Sequence, residues 1–286
     1  MPFRDILVHL DTSPQSEPRL QVAAALAARQ GQYLIGLHAA EVMTPAGVIS
    51  ASGKGTDLYD VSYAAWERQV AEADAALKAR FAAVVSEHGL TGEFRAAKGP
   101  VADTVGSHAR FADLTMIGQT PEATANMGTV AWLVEHVLLT SGRPVMVLPV
   151  ESSPAHLEKF DHILVGWDGS RAAVRAVHDA LPLLKRAAKV TVLSVTAEHG
   201  GSGKVALNPG SDVAPHLARH GIAVEAATVP QGKVSAGATL LEQVTSLGAN
   251  LLVAGGYGHS RLREFVLGGA TRYILLNATV PVLLSH

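Results

Sequence analysis

Residues 5–13 read DILVHLDTS, and residues 162–170 read HILVGWDGS. In both, a short aliphatic run ends on an aspartate, with a serine two positions further on. A compact apolar run without polar alternation marks a strand buried on both faces, as in the parallel sheet of an α/β protein. Its return 157 positions later shows that the chain is built from two copies of one unit.

Two more pairs extend the duplication at an offset of 137. DLTMIG at 113–118 matches NLLVAG at 250–255, and RPVMVL at 143–148 matches VPVLLS at 280–285. The copies therefore differ in length between their first and fourth strands. The first copy carries a polar, glycine-containing loop near 44–57 and an alanine-rich stretch over 63–88, where Ala65, Val70, Ala73, Leu77, Phe81, Val84 and Val85 recur at helical spacing. The second has a loop over 197–212 and a short helix near 213–220. In the second copy the pattern predicts strands near 162–167, 190–195, 222–228, 250–255 and 280–285. Helices are predicted near 171–187, 212–220, 234–247 and 270–277.

Buried strands alternating with amphipathic helices predict an α/β fold of two tandem, doubly wound, five-stranded parallel-sheet domains of Rossmann-like type. The expected domains are 1–150 and 158–286, joined by a linker near 150–160 that holds Ser152, Ser153 and Pro154. Ligands of such sheets bind beyond the carboxyl ends of the strands, where strand order switches.

Composition narrows the function classes. The 286 residues are 48% hydrophobic, 17% charged and only 5% aromatic, so the cores are built from Ala, Val and Leu. A formal net charge of -2 with no basic block argues against a nucleic-acid partner. The absence of cysteine excludes disulfides, thiolate metal sites and thiol catalysis. No apolar run is long enough to span a membrane, so the expectation is a soluble, cytoplasmic protein without a membrane partner.

The candidate site is the stretch GGYGHSRLREFVLGGATRYIL at 255–275. Gly255, Gly256 and Gly258 follow a strand, and Gly268 and Gly269 open a helix that continues through Ala270 and Thr271. Glycine permits close approach to the main chain, and a helix start presents unpaired N–H groups, a combination suited to an anion such as phosphate. His259 and Arg261 would add charge-assisted donors, or stand as solvated loop residues. Thr271 would donate its hydroxyl or pack in the first turn. A plain turn needs fewer glycines, and the first copy makes the same step with Gly118 as the only matching glycine: Pro121, Glu122 and Trp132 stand where the second has Gly258, His259 and Gly269. Proline lacks an N–H, glutamate repels phosphate and tryptophan fills space, so the first copy is expected to lack the anion site.

Other motifs carry less. GGSGK at 200–204 and SGKGT at 52–56 lack the spacing of a phosphate-binding P-loop, and no G-x-S-x-G elbow presents a nucleophile. His216 and His220 stand four apart on one short helix, a pair that suits a metal ion or simply faces solvent.

The pattern Gly255-x2-Gly258-x9-Gly268 after a strand, with Asp168 ending the first strand of the same copy, resembles the universal stress protein family. The duplication makes the chain look like a tandem member over nearly its whole length. The resemblance implies a fold like that of the adenine nucleotide alpha hydrolases and binding of ATP, with or without Mg. Asp168 would face adenine or ribose, Val195 would offer backbone to adenine, and Gly255, Gly256, Gly258 and Gly268 would line ribose and phosphates. It also implies a regulatory stress-response role with a protein partner and at most slow ATP hydrolysis. A nucleotide hydrolase or adenylyl-transferring enzyme and a nucleotide-free interaction module are the alternatives. The two copies would pair through their last strands into a pseudo-dimer within the chain, which could dimerise further. Asp168 has a second reading as a helix N-cap, and Asp11 is expected to be one. Two residues depart from the family pattern. Gly269 stands where a Ser or Thr hydroxyl is usual, and Gly166-Trp167 replaces a small apolar residue and Pro, Trp167 either stacking on adenine or packing in the core.

Overall fold

The computed structural model describes residues 3–29, 31–42, 56–119, 132–150, 160–196, 212–231, 235–256 and 269–286. The N-terminal half contains β1 (Asp5–Leu10), α1 (Ser16–Ala28), β2 (Tyr33–Ala40), α2 (Thr56–Glu87), β3 (Gly92–Lys98), α3 (Val101–Ala109), β4 (Leu114–Gly118), α4 (Trp132–Ser141) and β5 (Val145–Leu148). The C-terminal half repeats the order with β6 (His162–Gly166), α5 (Arg171–Leu184), β7 (Lys189–Thr196), α6 (Val213–Arg219), β8 (Val224–Pro230), α7 (Ala236–Leu247), β9 (Leu251–Gly255), α8 (Gly269–Asn277) and β10 (Val282–Ser285).

The ten strands among the described residues form one sheet in the order β3-β2-β1-β4-β5-β10-β9-β6-β7-β8. Within each half every pairing is parallel, and the halves meet where β5 and β10 pair antiparallel, Val282 opposite Val147 and Leu284 opposite Val145. The two sets of strands therefore run in opposite directions, and their carboxyl ends lie at opposite ends of the sheet. The strands that would otherwise be bare inner edges cover each other, leaving β3 and β8 as the outer edges.

The aliphatic runs are strands because both their faces are covered. Ile6, Leu7 and Val8 on β1 and Ile163 and Leu164 on β6 are fully buried. One face packs under α1, α2, α5 and α6, with Leu20, Phe81, Val84, Ala176 and Leu217 in a single apolar layer. The opposite face packs under α3, α4, α7 and α8, with Val105, Leu138, Val244 and Ile274. Changing face after β3 and after β8 produces the order 3-2-1-4-5 in each half and places the switch points between β1 and β4 and between β6 and β9.

The expected long helix of the first copy is α2, 32 residues starting at Thr56, and its side chain Asp74 pairs with His38 of β2. The shorter counterpart is α6, seven residues. The linker residues 151–159, the loop 197–211 and the look-alike motifs at 52–55 and 200–204 lie outside the described residues. The halves also touch beyond the β5–β10 seam. Gln119 donates to the carbonyl of Leu275 at 2.8 Å, and Arg175 donates to that of Gly142 at 2.6 Å. Among the described residues no helix is long and apolar enough to cross a membrane.

Candidate functional site

The two switch points start from the same turn. After β1, the N–H of Ser13 donates to Asp11 Oδ1 at 2.9 Å; after β6, the N–H of Ser170 donates to Asp168 Oδ1 at the same distance. Each aspartate folds the chain over its own backbone, as aspartates do in tight turns. Gly169 takes φ +72, a left-handed conformation that glycine adopts without strain. Ser170 then caps α5, its hydroxyl accepting from the N–H of Ala173 at 3.1 Å. The capping role considered for Asp168 therefore belongs to Ser170. In the first half Asp11 is not a cap either: α1 starts after Gln15, which makes no side-chain cap bond. Asp11 is occupied by a turn and an ion pair instead.

That ion pair separates the halves. Arg19 on α1 is 4% exposed, and its Nη2 donates to Asp11 Oδ2 at 2.8 Å. A Cβ on Gly118, at the end of β4, would fall on the Arg19 guanidinium. The guanidinium thus sits across the carboxyl ends of β1 and β4, at the first half's switch point. Burial works to raise the Asp11 carboxyl, but Arg19, the Ser13 donors and nearby His9 outweigh it and hold it below the usual carboxylate range. Beside it on β1, His9 is buried and lowered to about 4, first by burial and then by Arg19.

In the second half Ala176 stands at the position of Arg19, fully covered and without a side chain that could reach Asp168. Gly255, the counterpart of Gly118, serves a different approach: a Cβ there would lie 2.5 Å from the backbone nitrogen of Ala173, so the first turn of α5 rests directly on the end of β9. Asp168 is exposed at the end of β6. The N–H of Gly256 donates to the carbonyl of Ser285 at 2.9 Å, and its missing side chain makes room for Leu138 of the other half. Val195, the penultimate residue of β7, pairs with Val229 and packs partly into the core. Trp167 packs against the core layer under α5 and α6.

Gly258, His259, Arg261 and Gly268 lie outside the described residues. Past them, α8 starts at Gly269, which is exposed, and among the described residues nothing would lie within 4 Å of an added Cβ. Ala270 follows, half-buried, while Thr271 is buried on the inner side of α8. Trp132, expected to fill the first half's phosphate space, is instead 47% exposed and leans on His136, with ring centres 5.5 Å apart. The group that lies between Asp11 and the end of β4 at that switch point is Arg19. A signal for it was present in the sequence: Arg19 stands at helical spacing from buried Ala23 and Leu26, and a charge within an apolar stripe needs a partner.

Residues 159–286 match the model of the universal stress protein family. The chain is similar in fold to the crystal structure of a universal stress protein from Archaeoglobus fulgidus DSM 4304, at 17% identity and a TM-score of 0.72, over 98% of this chain and 94% of that one. It is also similar to a protein of unknown function from Pseudomonas aeruginosa PAO1, at 14% identity and a TM-score of 0.62, over 98% and 92% of the two chains. No curated protein matches the sequence significantly.

Proposed function

We propose that this chain, whose C-terminal half belongs to the universal stress protein family, binds one adenine nucleotide, ATP, through that half, and that nucleotide occupancy is read by a partner in a stress response. The division into a nucleotide-free unit at 1–150 and a nucleotide-binding unit at 158–286 is part of this reading. One observation carries it. At equivalent switch points the N-terminal half seats its own Arg19 between Asp11 and Gly118, whereas the C-terminal half has Ala176 in that place, an exposed Asp168 and a helix beginning at exposed Gly269. Asp168 would take the adenine or ribose, Val195 the adenine edge through its backbone, and Gly255, Gly256, Gly258 and Gly268 the ribose and phosphates. The N–H groups of Gly269, Ala270 and Thr271 at the start of α8 suit phosphate oxygens, with His259 and Arg261 as further donors. Mg would accompany the phosphates.

This reading does not include efficient turnover, because Asp168 already accepts a backbone bond and no general base has been assigned at the γ-phosphate. The test is calorimetric titration of the purified chain with ATP and Mg²⁺, together with mass spectrometry of nucleotide released on denaturation. One ATP per chain is expected, with binding abolished in Asp168→Ala and Gly268→Trp. Equal binding by wild type and both variants overturns the site, and two nucleotides per chain overturns the assignment of the first half as nucleotide-free. Steady ADP release that disappears in Asp168→Ala would establish the enzyme reading instead.

A further inference from the structure

We propose that the N-terminal half binds one small uncharged organic molecule, with an aromatic or aliphatic body and a carbonyl or hydroxyl oxygen, in a cleft between α1, α2 and the turn after β1. The proposal is independent of the nucleotide reading. The cleft encloses about 290 Å³. At about 30 Å³ of liquid per water, that is room for roughly ten non-hydrogen atoms. Its apolar wall is made by Leu10, Leu20 and Leu77, with Leu10 and Leu20 themselves buried. Neither Arg19 nor Gly118 is among the lining residues, so the cleft is separate from the switch point between β1 and β4.

The duplication shows that the polar lining is not what the fold requires. Thr12, Ser16 and Glu17 line the cleft, and in the second copy Gly169, Ala173 and Val174 stand in their places. The same step from strand to helix is thus made without polar side chains at those three positions. The facing wall is also peculiar to the first half, because α2 has 32 residues where α6 has seven. Ser16 is 5% exposed, and its Oγ accepts from the N–H of Asp11 at 3.1 Å, while its own O–H has no acceptor among the described residues. A buried hydroxyl that lines a cleft and keeps an undonated proton suits an oxygen of a ligand.

The charges around the cleft select against ions. The Arg80 guanidinium takes both oxygens of Glu17, with Nε 2.7 Å from Oε2, and holds that carboxyl below the usual carboxylate range. Asp11 is likewise engaged, by Arg19 and by both donors of Ser13. An anion would meet two carboxylates, and a cation would have to displace guanidiniums already in place. An uncharged molecule disturbs neither pair, gains by burying its body against the three leucines and accepts from Ser16.

The experiment titrates the full chain with three molecules of nearly equal size, the ketone acetophenone, the anion benzoate and the cation benzamidinium, and follows backbone amide shifts by NMR. Acetophenone is expected to saturate one site with a Kd of about 1 mM or tighter, moving the amides of Ser13, Glu17 and Ala76, and each ion to bind at least about tenfold more weakly. Ala76→Trp places a ring in the cleft and should abolish binding, whereas Ala79→Trp, on α2 but outside the lining, leaves it unchanged. If Ala76→Trp does not fold, as judged by circular dichroism, Ala73→Leu decides, with an expected loss of about tenfold. Shifts that do not saturate, an ion that binds as tightly as acetophenone, or equal binding by the wild type and the filled variants overturns the proposal.

Discussion

The two halves share a strand order, an aspartate turn after the first strand and a glycine at the end of the fourth strand, yet they use that glycine for opposite purposes. Gly118 leaves room for a buried guanidinium, whereas Gly255 leaves room for the backbone of a helix. The exchange of Arg19 in one copy for Ala176 in the other, in the helix after the first strand, accompanies the difference. A duplicated fold thus places an ion pair of its own at one of its two switch points, and that pair also ties α1 to the end of β1.

The strongest way to break this comparison is Arg19→Ala. It strips Asp11 and Gly118 of their covering group and is expected to lower the unfolding free energy by about 3 kcal/mol in urea titration. That is the lower end for breaking a buried ion pair, because the Asp11 side chain is 36% exposed. A loss below about 1 kcal/mol would show that the guanidinium is not structural.

Acid should separate the halves next, since the counterpart of His9 in the second half is Gly166. His9 lies at about 4 in the fold against 6.5 unfolded, so the unfolded chain takes up the proton first as pH falls. Its stabilising contribution is complete above 6.5 and is lost towards 4, by about 2 kcal/mol between pH 7 and pH 5. The depressed Asp11 carboxyl acts in the same direction, its contribution disappearing as pH falls through its folded value. Unfolding curves at the two pH values check the sum, and His9→Gln should remove most of the loss over that interval.

The smallest expected effect sharpens the C-terminal side. Gly269→Ser supplies the hydroxyl usual in the family at a position where, among the described residues, an added Cβ meets nothing within 4 Å. Affinity for ATP should rise by about fivefold, near 1 kcal/mol for one added hydrogen bond, with little change in melting temperature. Unchanged affinity would place the phosphates away from the start of α8.

Much of this fold was legible in the residues because buried parallel strands leave an unambiguous trace. DILVHL, HILVG and LLVAG are apolar at every or nearly every position, and their repetition located both copies. Most helix and strand positions in the second half agree with the pattern to within about two residues, the usual uncertainty of an element boundary. Side-chain reach was less legible. Trp132 looked like a space-filler by alignment but faces solvent, and Asp11 looked like a cap but belongs to a turn and an ion pair. Sequence spacing fixes which residues share a helix face but not how far a long side chain extends across the end of a sheet.

The sequence by itself determined the duplicated α/β architecture, the class of sheet, the asymmetry in glycine content and the likeness of residues 159–286 to the universal stress protein family, because these follow from local periodicity and short motifs. Tertiary structure decided that α5 rests on Gly255 while Arg19 covers Gly118, and that α1 and α2 enclose a cleft beside Asp11. It also showed the copies joined edge to edge through β5 and β10. These features depend on contacts between residues far apart in the chain, where packing distance and the need to satisfy a buried charge, rather than local propensity, select the arrangement.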